Sequence, residues 1–412
     1  MNDIQHAINS NERKFNISVF DLLVILYFLH KLLPSVGYYM PAIVYFGVFA
    51  LLAVCALSRV GSMRKINVLA SMSVMFLVSV LEIVRYVVSG SAAAVPLYLY
   101  GELQVLLFGL AVLAYHTAGR EHKKKYLFYL VVACYILTSV TTILGNIKYP
   151  QASRLLATTD NVHGALYTSQ NIGSFTFVYE LVLITPLFIY MFKNKRINRL
   201  LALGLVALFG YTVIKTEYVT ALLLFVLTVV LFFIPKPTNK KIFVMLAAFA
   251  ILFLVSKDYL AGLFGRIAQG LESETVAIRF QEIAAFLGGR GATEAGNVGN
   301  RTELYRASLD TFFRSYGLGS WGGGIGGHSF VLDTLGQYGI FGLFAMAVMY
   351  RTVYALFIKP FRSKDFYPYL VYVYIVAIVL AVMNPKTYLF VFMVVFPLFA
   401  KAMEQKNRAQ GE

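Results

Sequence analysis

Twelve long apolar runs divide the chain, and they constrain its fold more than any other feature of the sequence. A helix of about 20 apolar residues is needed to cross the hydrocarbon core of a bilayer. The mean hydropathy of +0.70 is that of a chain far less polar than a soluble domain. We therefore expect an all-α polytopic membrane protein with about 12 transmembrane helices. The runs lie near 17–33, 38–58, 67–88, 96–118, 126–146, 171–192, 199–215, 219–235, 242–256, 335–357, 369–384 and 387–403.

Lys and Arg residues are concentrated in every second loop, whereas the short loop at 89–95 has none. Because basic loops stay on the cytoplasmic side, we expect a multi-pass protein of the bacterial cytoplasmic membrane with both termini in the cytoplasm. The net charge of +16 then reflects orientation in the lipid bilayer, and no nucleic-acid partner is predicted. The basic loops are 59–65, 120–125, 193–199, 236–241 and 359–364.

The runs predict three parts. Residues 1–256 form a transmembrane bundle of about nine spans with a small external loop at 146–170, and residues 328–412 form C-terminal transmembrane helices. Between them, residues 257–327 form a large external loop. Its apolar spacing predicts helices that lie on the membrane surface or over a cavity. The residues that define these helical faces are Leu263, Phe264, Ile267 and Leu271, then Ile283, Phe286 and Leu287.

Ionisable residues interrupt several apolar runs. A polar cavity that opens outward and ion pairing between helices are equally good explanations for them. Residues 215–217 split the run at 199–235, which is either a tight pair of helices or one broken region. The other interrupting residues are Glu82, Arg85, Glu102 and Glu180.

Motifs that bind nucleotides or catalytic metals are absent from the sequence. It contains no GxxxxGK[ST] loop, HExxH, CxxC pair, GxSxG or DxD-like acidic pair. We therefore predict no cofactor and no metal. An enzyme of this kind would take its energy from an activated substrate such as a lipid-linked pyrophosphate.

Arg301 is the first candidate for chemistry. On a helix it shares a stripe with Tyr305, Ser308 and Phe312, and no acidic residue follows three or four positions later. A guanidinium on an aromatic stripe is a candidate anion ligand. The alternative is that it caps a carbonyl group or extends to lipid headgroups.

Two further arginines follow on the same predicted helix. Arg306 and Arg314 are spaced to pair with Glu303 and Asp310, which usually indicates a solvated face. Together with Tyr305 they are also candidates for substrate binding.

His328 ends a glycine-rich segment with seven glycines in the eleven residues 317–327. Such a segment either lets backbone N–H groups converge on phosphate oxygens or is a loose connector. His328 is predicted to open the next helix, whose N-terminus favours anions and a neutral imidazole. The alternative is a structural histidine.

The smaller external loop carries Arg154, Asp160, His163 and Asn171. Arg154 is predicted to lie on the same membrane face as Arg301. Two arginines from separate loops can bind a pyrophosphate bidentately. Contact with a lipid headgroup is the simpler alternative.

The segment from 300 to 343 resembles the signature of the O-antigen ligase and Wzy-type polysaccharide polymerase superfamily. The family pattern is an Arg-bearing helix, a G-x-G turn, His followed by Asn or Ser, and a glycine-spaced start to a span. The matching residues are Asn300-Arg301, Gly317-Leu318-Gly319, His328-Ser329-Phe330-Val331-Leu332, and Gly336, Gly339 and Gly342.

The resemblance implies a metal-independent, GT-C-like membrane glycosyltransferase. Its donor and acceptor would be undecaprenyl-pyrophosphate-linked glycans on the outer face of the membrane. A chain-length regulator and a flippase of the same pathway are the protein partners that it suggests. By the resemblance, Arg301 and His328 bind the pyrophosphate or assist its departure, and Arg154 matches an arginine of the smaller loop.

The chain departs from the family pattern at residues 215–218. Many relatives carry Ser-Arg near the outer start of the eighth span, where this chain has Lys215-Thr216-Glu217-Tyr218. Lys215 is a candidate for the missing cation, as a point charge instead of a planar fork. Glu217 is a candidate base that activates the acceptor.

Four functions remain open from the sequence. A polysaccharide polymerase is expected, and an O-antigen ligase that moves the glycan to lipid A–core is the alternative within the same chemistry. A lipid-linked oligosaccharide flippase would often show two related halves, which this sequence does not. A structural scaffold for an envelope assembly would not need Arg301 and His328.

Overall fold

The computed structural model describes residues 17–59, 122–156, 161–255, 257–271, 274–288, 296–321 and 325–410, with a few isolated helical positions from 80 to 115. Most of the described residues are helical, and they contain no β-strand. The predicted all-α class is therefore confirmed. Asp160, Glu82, Arg85, Glu102, Gly322–Gly324 and the side chains of Phe286 and Asn300 lie outside the described part of the chain.

Sixteen α-helices have bounds within the described residues, and they are named α1 to α16 in chain order. They are α1 (Val19–Leu32), α2 (Pro34–Tyr39), α3 (Ala42–Arg59), α4 (Lys123–Lys148), α5 (Ala152–Leu155), α6 (Asn161–Ser169), α7 (Phe175–Lys193), α8 (Arg199–Lys215), α9 (Val219–Val229), α10 (Asn239–Val255), α11 (Lys257–Gln269), α12 (Glu274–Leu287), α13 (Gly296–Arg314), α14 (Phe330–Val353), α15 (Tyr367–Met383) and α16 (Phe396–Gln410). Short turns of other helix types extend α9 and α14 and precede α16, at Val230–Phe232, Tyr354–Ile358, Lys359–Phe361 and Val391–Val395.

Several of these helices have the length and composition of membrane spans, so the protein is a helical membrane-embedded protein. Every predicted apolar run within the described residues coincides with helix, and most of the runs near 67–88 and 96–118 lie outside them. Two apolar helices in the described part are shorter, Val219–Phe232 and Tyr367–Met383. Four described helices are long enough to cross a membrane, namely Ala42–Arg59, Lys123–Lys148, Phe175–Lys193 and the extended Phe330–Phe361.

Helix α7 is at the centre of the bundle. All its residues from Phe177 to Met191 are buried, so no face of it is open to lipid. It packs against α8, α9 and α15, while α4 packs against α1, α8 and α16. A helix that is apolar all round is the kind that the middle of a bundle requires.

One end of the bundle is held by charged contacts. Lys123 pairs with Asp21 at 2.5 Å, and Arg196 pairs with Asp365 at 3.5 Å. The Tyr190 hydroxyl donates to the Asp365 carboxylate at 2.8 Å. These contacts join segments that the charge pattern assigns to the cytoplasmic side.

The other end is held by uncharged polar groups. The Asn171 side chain accepts from the Ser35 hydroxyl at 3.2 Å and donates to the Thr141 hydroxyl at 3.1 Å. The Phe330 N–H donates to the Asn384 carbonyl at 3.0 Å. These contacts join segments that the charge pattern assigns to the external side.

The segment after α10 folds back on the bundle as a pair of helices. Phe264 and Ala268 of α11 pack with Phe280 and Leu287 of α12, and the cluster includes Val219 at the start of α9. The predicted helices are therefore present. Their apolar faces are largely used against each other and against α9, while Ile267 and Leu271 remain partly exposed.

Helices α13 and α14 cross so closely that glycine is required between them. A Cβ atom at Gly336 would lie 2.5 Å from the Ser308 carbonyl oxygen. Gly339, with φ 59°, breaks α14, and its backbone packs against Gly317. Only glycine adopts such a backbone beside a second chain segment without strain. The glycines of the sequence motif therefore hold α13 against the start of α14.

Candidate functional site

The inward face of α13 carries the polar stripe that the sequence predicts. Residues three and four positions apart share one helix face, and here that face meets the ends of α14 and α15. The Tyr305 hydroxyl donates to the Met383 carbonyl at 2.8 Å. The buried Ser308 hydroxyl donates to the Asp333 carboxylate at 2.7 Å. The stripe thus fixes the half-buried Arg301 at the end of the bundle where α14 begins and α15 ends.

Arg301 interacts with two tyrosines, Tyr305 through a hydrogen bond and Tyr179 through its charge. Its guanidinium hydrogen-bonds to the Tyr305 hydroxyl, and its charge also reaches the Tyr179 hydroxyl of α7. Burial raises the pKa of Tyr305, and the adjacent Arg301 charge opposes that rise. Tyr305 therefore stays protonated, and it keeps the hydrogen that it donates to Met383.

The second arm of the site comes from the segment at 146–170, which was predicted to be the smaller external loop. Asn146, at the end of α4, donates to the Ser153 hydroxyl at 2.8 Å and thereby holds α5 against the bundle. The Tyr218 hydroxyl donates to the Ser153 carbonyl at 2.7 Å. The charge of the next residue, Arg154, acts on Tyr218. Arg154 is thus fixed beside the turn between α8 and α9.

The two arms meet at a pair of aromatic rings. The ring centroids of Tyr179 and Tyr218 are 6.4 Å apart, and we call these two residues the tyrosine pair. The charge of Arg301 influences the Tyr179 hydroxyl, and the charge of Arg154 influences the Tyr218 hydroxyl. The two arginines, which come from separate segments of the chain, therefore flank the tyrosine pair. Arginine pairs of this kind can bind an anion with several oxygens, such as a diphosphate.

Further polar residues surround the tyrosine pair inside the bundle. The Tyr388 ring lies 6.1 Å from the Tyr179 ring, and the buried Asn384 side chain lies beside both hydroxyls. On the next position of α7, the buried Glu180 accepts from the Tyr135 hydroxyl at 2.8 Å. Glu180 is thus hydrogen-bonded to a tyrosine of the neighbouring helix α4.

Sequence reasoning gave no role to Tyr179, Tyr218, Tyr388 or Asn384. Tyr179 lies on a helix without a polar face, so no periodicity marks it. Of these four residues, Asn384 could have been noticed in the sequence, because it is an amide at the end of an apolar span and next to a proline. In the structure its side chain is buried.

His328 is exposed and lies between the two helices of the motif. Upstream, a Cβ atom at Gly326 would lie 2.6 Å from the Leu304 carbonyl, one turn from Arg301. Downstream, Ser329 caps α14 and the Phe330 N–H is bonded to Asn384. The backbone on both sides of His328 is therefore tied to the elements that carry Arg301 and Asn384.

The N-terminus of α14 already binds protein groups. The Ser329 hydroxyl accepts from the Leu332 N–H at 3.0 Å, and the Ser329 N–H donates to the Asp333 carboxylate at 2.8 Å. A first-turn carboxylate occupies the position that favours an anion. Binding of a phosphate by this helix end, as the sequence suggested, would place it beside Asp333.

The first part of the glycine-rich segment is also bound to protein. The N–H groups of Gly317 and Gly319 donate to Phe312 and Ser315, and those of Ser320 and Trp321 donate to α14. In residues 317–321 the glycines therefore permit close backbone packing, and these amides do not form a phosphate cradle.

Residues 215–217 form a tight turn between two separate helices. Helix α8 ends at Lys215 and α9 begins at Val219, so the tight pair is the correct alternative for the run at 199–235. Glu217 has a left-handed backbone, with φ 58°. The Lys215 ammonium lies 5.7 Å from the centroid of the Tyr211 ring on its own helix. Glu217 directly precedes Tyr218 in this turn.

The remaining candidates lie outside the cluster. Arg306 and Arg314 are exposed, and Arg314 is about 20 Å from Arg301 along the helix axis at 1.5 Å per residue. His163 is exposed and stacks on Tyr167, whereas Asn171 is buried and hydrogen-bonded to Ser35 and Thr141. Among the described residues, no group of three or more His, Cys, Asp or Glu side chains is arranged to hold a metal.

The sequence matches no protein-family model, and no curated protein matches it. Any assignment of function therefore depends on the geometry of the two arginines and the tyrosine pair.

Proposed function

We propose that the protein is a membrane glycosyltransferase that polymerises a polysaccharide, as Wzy-type polymerases do. In this proposal it has twelve crossings, a GT-C-like bundle and both termini in the cytoplasm. It joins undecaprenyl-pyrophosphate-linked repeat units on the outer face of the bacterial cytoplasmic membrane. The supporting observation is that Arg154 and Arg301 flank the tyrosine pair, each close to one of its members.

The chemistry explains why two arginines are needed. A hydroxyl of the acceptor sugar attacks the anomeric carbon of the donor, and the bond from that carbon to the pyrophosphate oxygen breaks. Negative charge then grows on the leaving pyrophosphate, where Arg154 and Arg301 stabilise it. Removal of one such contact commonly costs about 2.7–4 kcal/mol of transition-state stabilisation.

The acceptor hydroxyl also loses a proton, and Glu217 is the proposed base. Its carboxylate lies on the turn that holds Tyr218, and its backbone has the left-handed conformation that costs free energy in a residue with a side chain. Such strain is often kept at functional sites. His328 would then contact the pyrophosphate as the second group of the motif.

The test is polymer synthesis by purified protein in lipid nanodiscs supplied with lipid-linked repeat units. We expect a ladder of products on a gel with the wild type, and none with Arg301→Ala, Arg154→Ala or His328→Ala. Arg199→Ala is the matched control, because Arg199 is exposed at the start of α8, about 24 Å along the helix axis from Lys215 at 1.5 Å per residue. A normal ladder from Arg301→Ala would contradict the proposal.

The product distinguishes the polymerase from the ligase, which shares the same chemistry. A deletion strain that accumulates single repeats indicates a polymerase. One that accumulates polymer on the undecaprenyl carrier indicates a ligase. Movement of lipid-linked repeats between leaflets without bond formation would indicate a flippase and would contradict both.

A further inference from the structure

The C-terminal end of α13 carries large apolar side chains that the bundle does not cover. Phe313 is 69% exposed, Tyr316 is 95% exposed and Leu318 is 55% exposed. A cluster of this kind on a protein surface usually marks a contact with an apolar partner. With the exposed residues of α14 beside them, they form what we call the apolar strip, made of Phe313, Tyr316, Leu318, Ile340, Phe341 and Phe344.

Backbone hydrogen bonds place the two halves of the apolar strip side by side. The Ile340 N–H donates to the Gly317 carbonyl at 2.9 Å, and the Trp321 N–H donates to the Gln337 carbonyl at 2.9 Å. The Trp321 ring packs on Phe341, with centroids 6.4 Å apart. The chain that follows α13 therefore runs along α14.

The break in α14 at Gly339 indicates how deep in the membrane the apolar strip lies. From Ile340 to Phe361 the helix is about 33 Å long at 1.5 Å per residue, close to the ~30 Å of a hydrocarbon core. Its far end is level with the start of α15, because the rings of Phe361 and of Phe366, which precedes α15, have centroids 5.7 Å apart. Ile340 therefore lies near the opposite edge of the hydrocarbon core, and so does the apolar strip.

We propose that the apolar strip inserts into the hydrocarbon edge of the membrane, where lipid acyl chains cover it, and that it anchors the helix that carries Arg301. Lipid is favoured over a protein partner because the strip continues the exposed apolar face of a membrane-spanning helix. Tyr316 and Trp321 are also residue types enriched at membrane interfaces. The exposed Arg314 then lies at headgroup level, where arginine side chains commonly extend.

The test uses the native fluorescence of Trp321, which is the only tryptophan in the chain. The full-length protein is reconstituted in phosphatidylcholine nanodiscs whose acyl chains carry bromine at a shallow or at a deep carbon. We expect the shallow label to remove most of the Trp321 emission, the deep label to remove less, and aqueous iodide to remove little. Efficient quenching by iodide with none by either lipid would overturn the proposal.

Two variants, each made in a Trp321→Phe background, place the single tryptophan at another position. Tyr316→Trp reports the most exposed position of the strip and should be quenched more strongly by the shallow label than Trp321 is. Tyr190→Trp, at a buried position, is the control that neither quencher should reach. If Trp321 and the tryptophan at 316 are shielded from both lipid and iodide, a protein covers the strip and the proposal is wrong.

This readout needs no donor substrate and no activity. Failure to form polymer therefore leaves the membrane contact intact, and failure of quenching leaves the glycosyltransferase proposal intact. The contact also does not depend on which leaflet holds the strip.

Discussion

The Ser308 hydroxyl donates a 2.7 Å hydrogen bond to the Asp333 carboxylate, and this bond joins the helix of Arg301 to the helix that follows His328. The other oxygen of the same carboxylate accepts the Ser329 N–H at 2.8 Å. Asp333 thus holds both sides of the motif with one side chain. It is a positioning residue, because it acts on the site through Arg301 and His328.

Two substitutions of Asp333 test whether its hydrogen bonds or its negative charge support activity. Asp333→Ala leaves two donors without their acceptor, at about 1–3 kcal/mol each, and we expect kcat to fall more than KM changes. Asp333→Asn can keep both contacts, since its amide oxygen accepts from Ser329 and its amide nitrogen donates to Ser308. We expect Asn to retain most of the activity in the polymer assay. Equal loss in the two variants would show that the charge, and not the position, matters.

Gly336→Ala should force α13 and α14 apart. The added Cβ atom would lie 2.5 Å from the Ser308 carbonyl oxygen, which belongs to a backbone that cannot rotate away. We expect a lower free energy of unfolding by about 1–3 kcal/mol, the usual cost of overpacking, measured by thermal unfolding in detergent.

Gly204→Ala is the control for that measurement. Gly204 lies inside α8 with no atom within 4 Å of the added carbon, so alanine should be neutral or stabilise by up to about 1 kcal/mol. Equal destabilisation by both alanines would contradict the account of the close crossing.

Asp365→Ala should lower stability and leave donor binding unchanged. It removes the hydrogen bond from Tyr190 and the contact with Arg196 at the opposite end of the bundle. We expect a loss of about 1 kcal/mol, the net contribution of a typical hydrogen bond, because solvent weakens the half-exposed ion pair. Thermal unfolding and donor affinity are measured together, and a large fall in affinity would mean that the two ends are coupled.

Part of this architecture could be predicted from the sequence. The three- and four-residue spacing of Arg301, Tyr305 and Ser308 predicts a shared face, and Tyr305 and Ser308 indeed turn toward the bundle. The tyrosine pair could not be predicted in this way, because α7 is buried on every side and its apolar pattern has no period. The role of Gly336 depends on the approach of a distant carbonyl group, which no local pattern records.

The glycine-rich segment shows where composition is ambiguous. Glycine permits both an anion cradle and close backbone packing, because both need an absent side chain. In residues 317–321 the hydrogen bonds to α14 and to the end of α13 select the second use. The sequence offers no means of choosing, since the partners lie on other elements.

The most direct test of the central claim is a double-mutant cycle on the affinity for a lipid-pyrophosphate-linked glycan. Kd is measured for the wild type, Arg154→Ala, Arg301→Ala and the double variant, each with a normal unfolding temperature. Each single substitution should weaken binding by about tenfold or more, since a hydrogen bond to a charged group contributes about 1.5–3 kcal/mol. If the arginines bind one pyrophosphate together, the double variant should lose much less than the sum of the two losses. Strict additivity, or unchanged affinity in either single variant, would contradict convergence on one ligand.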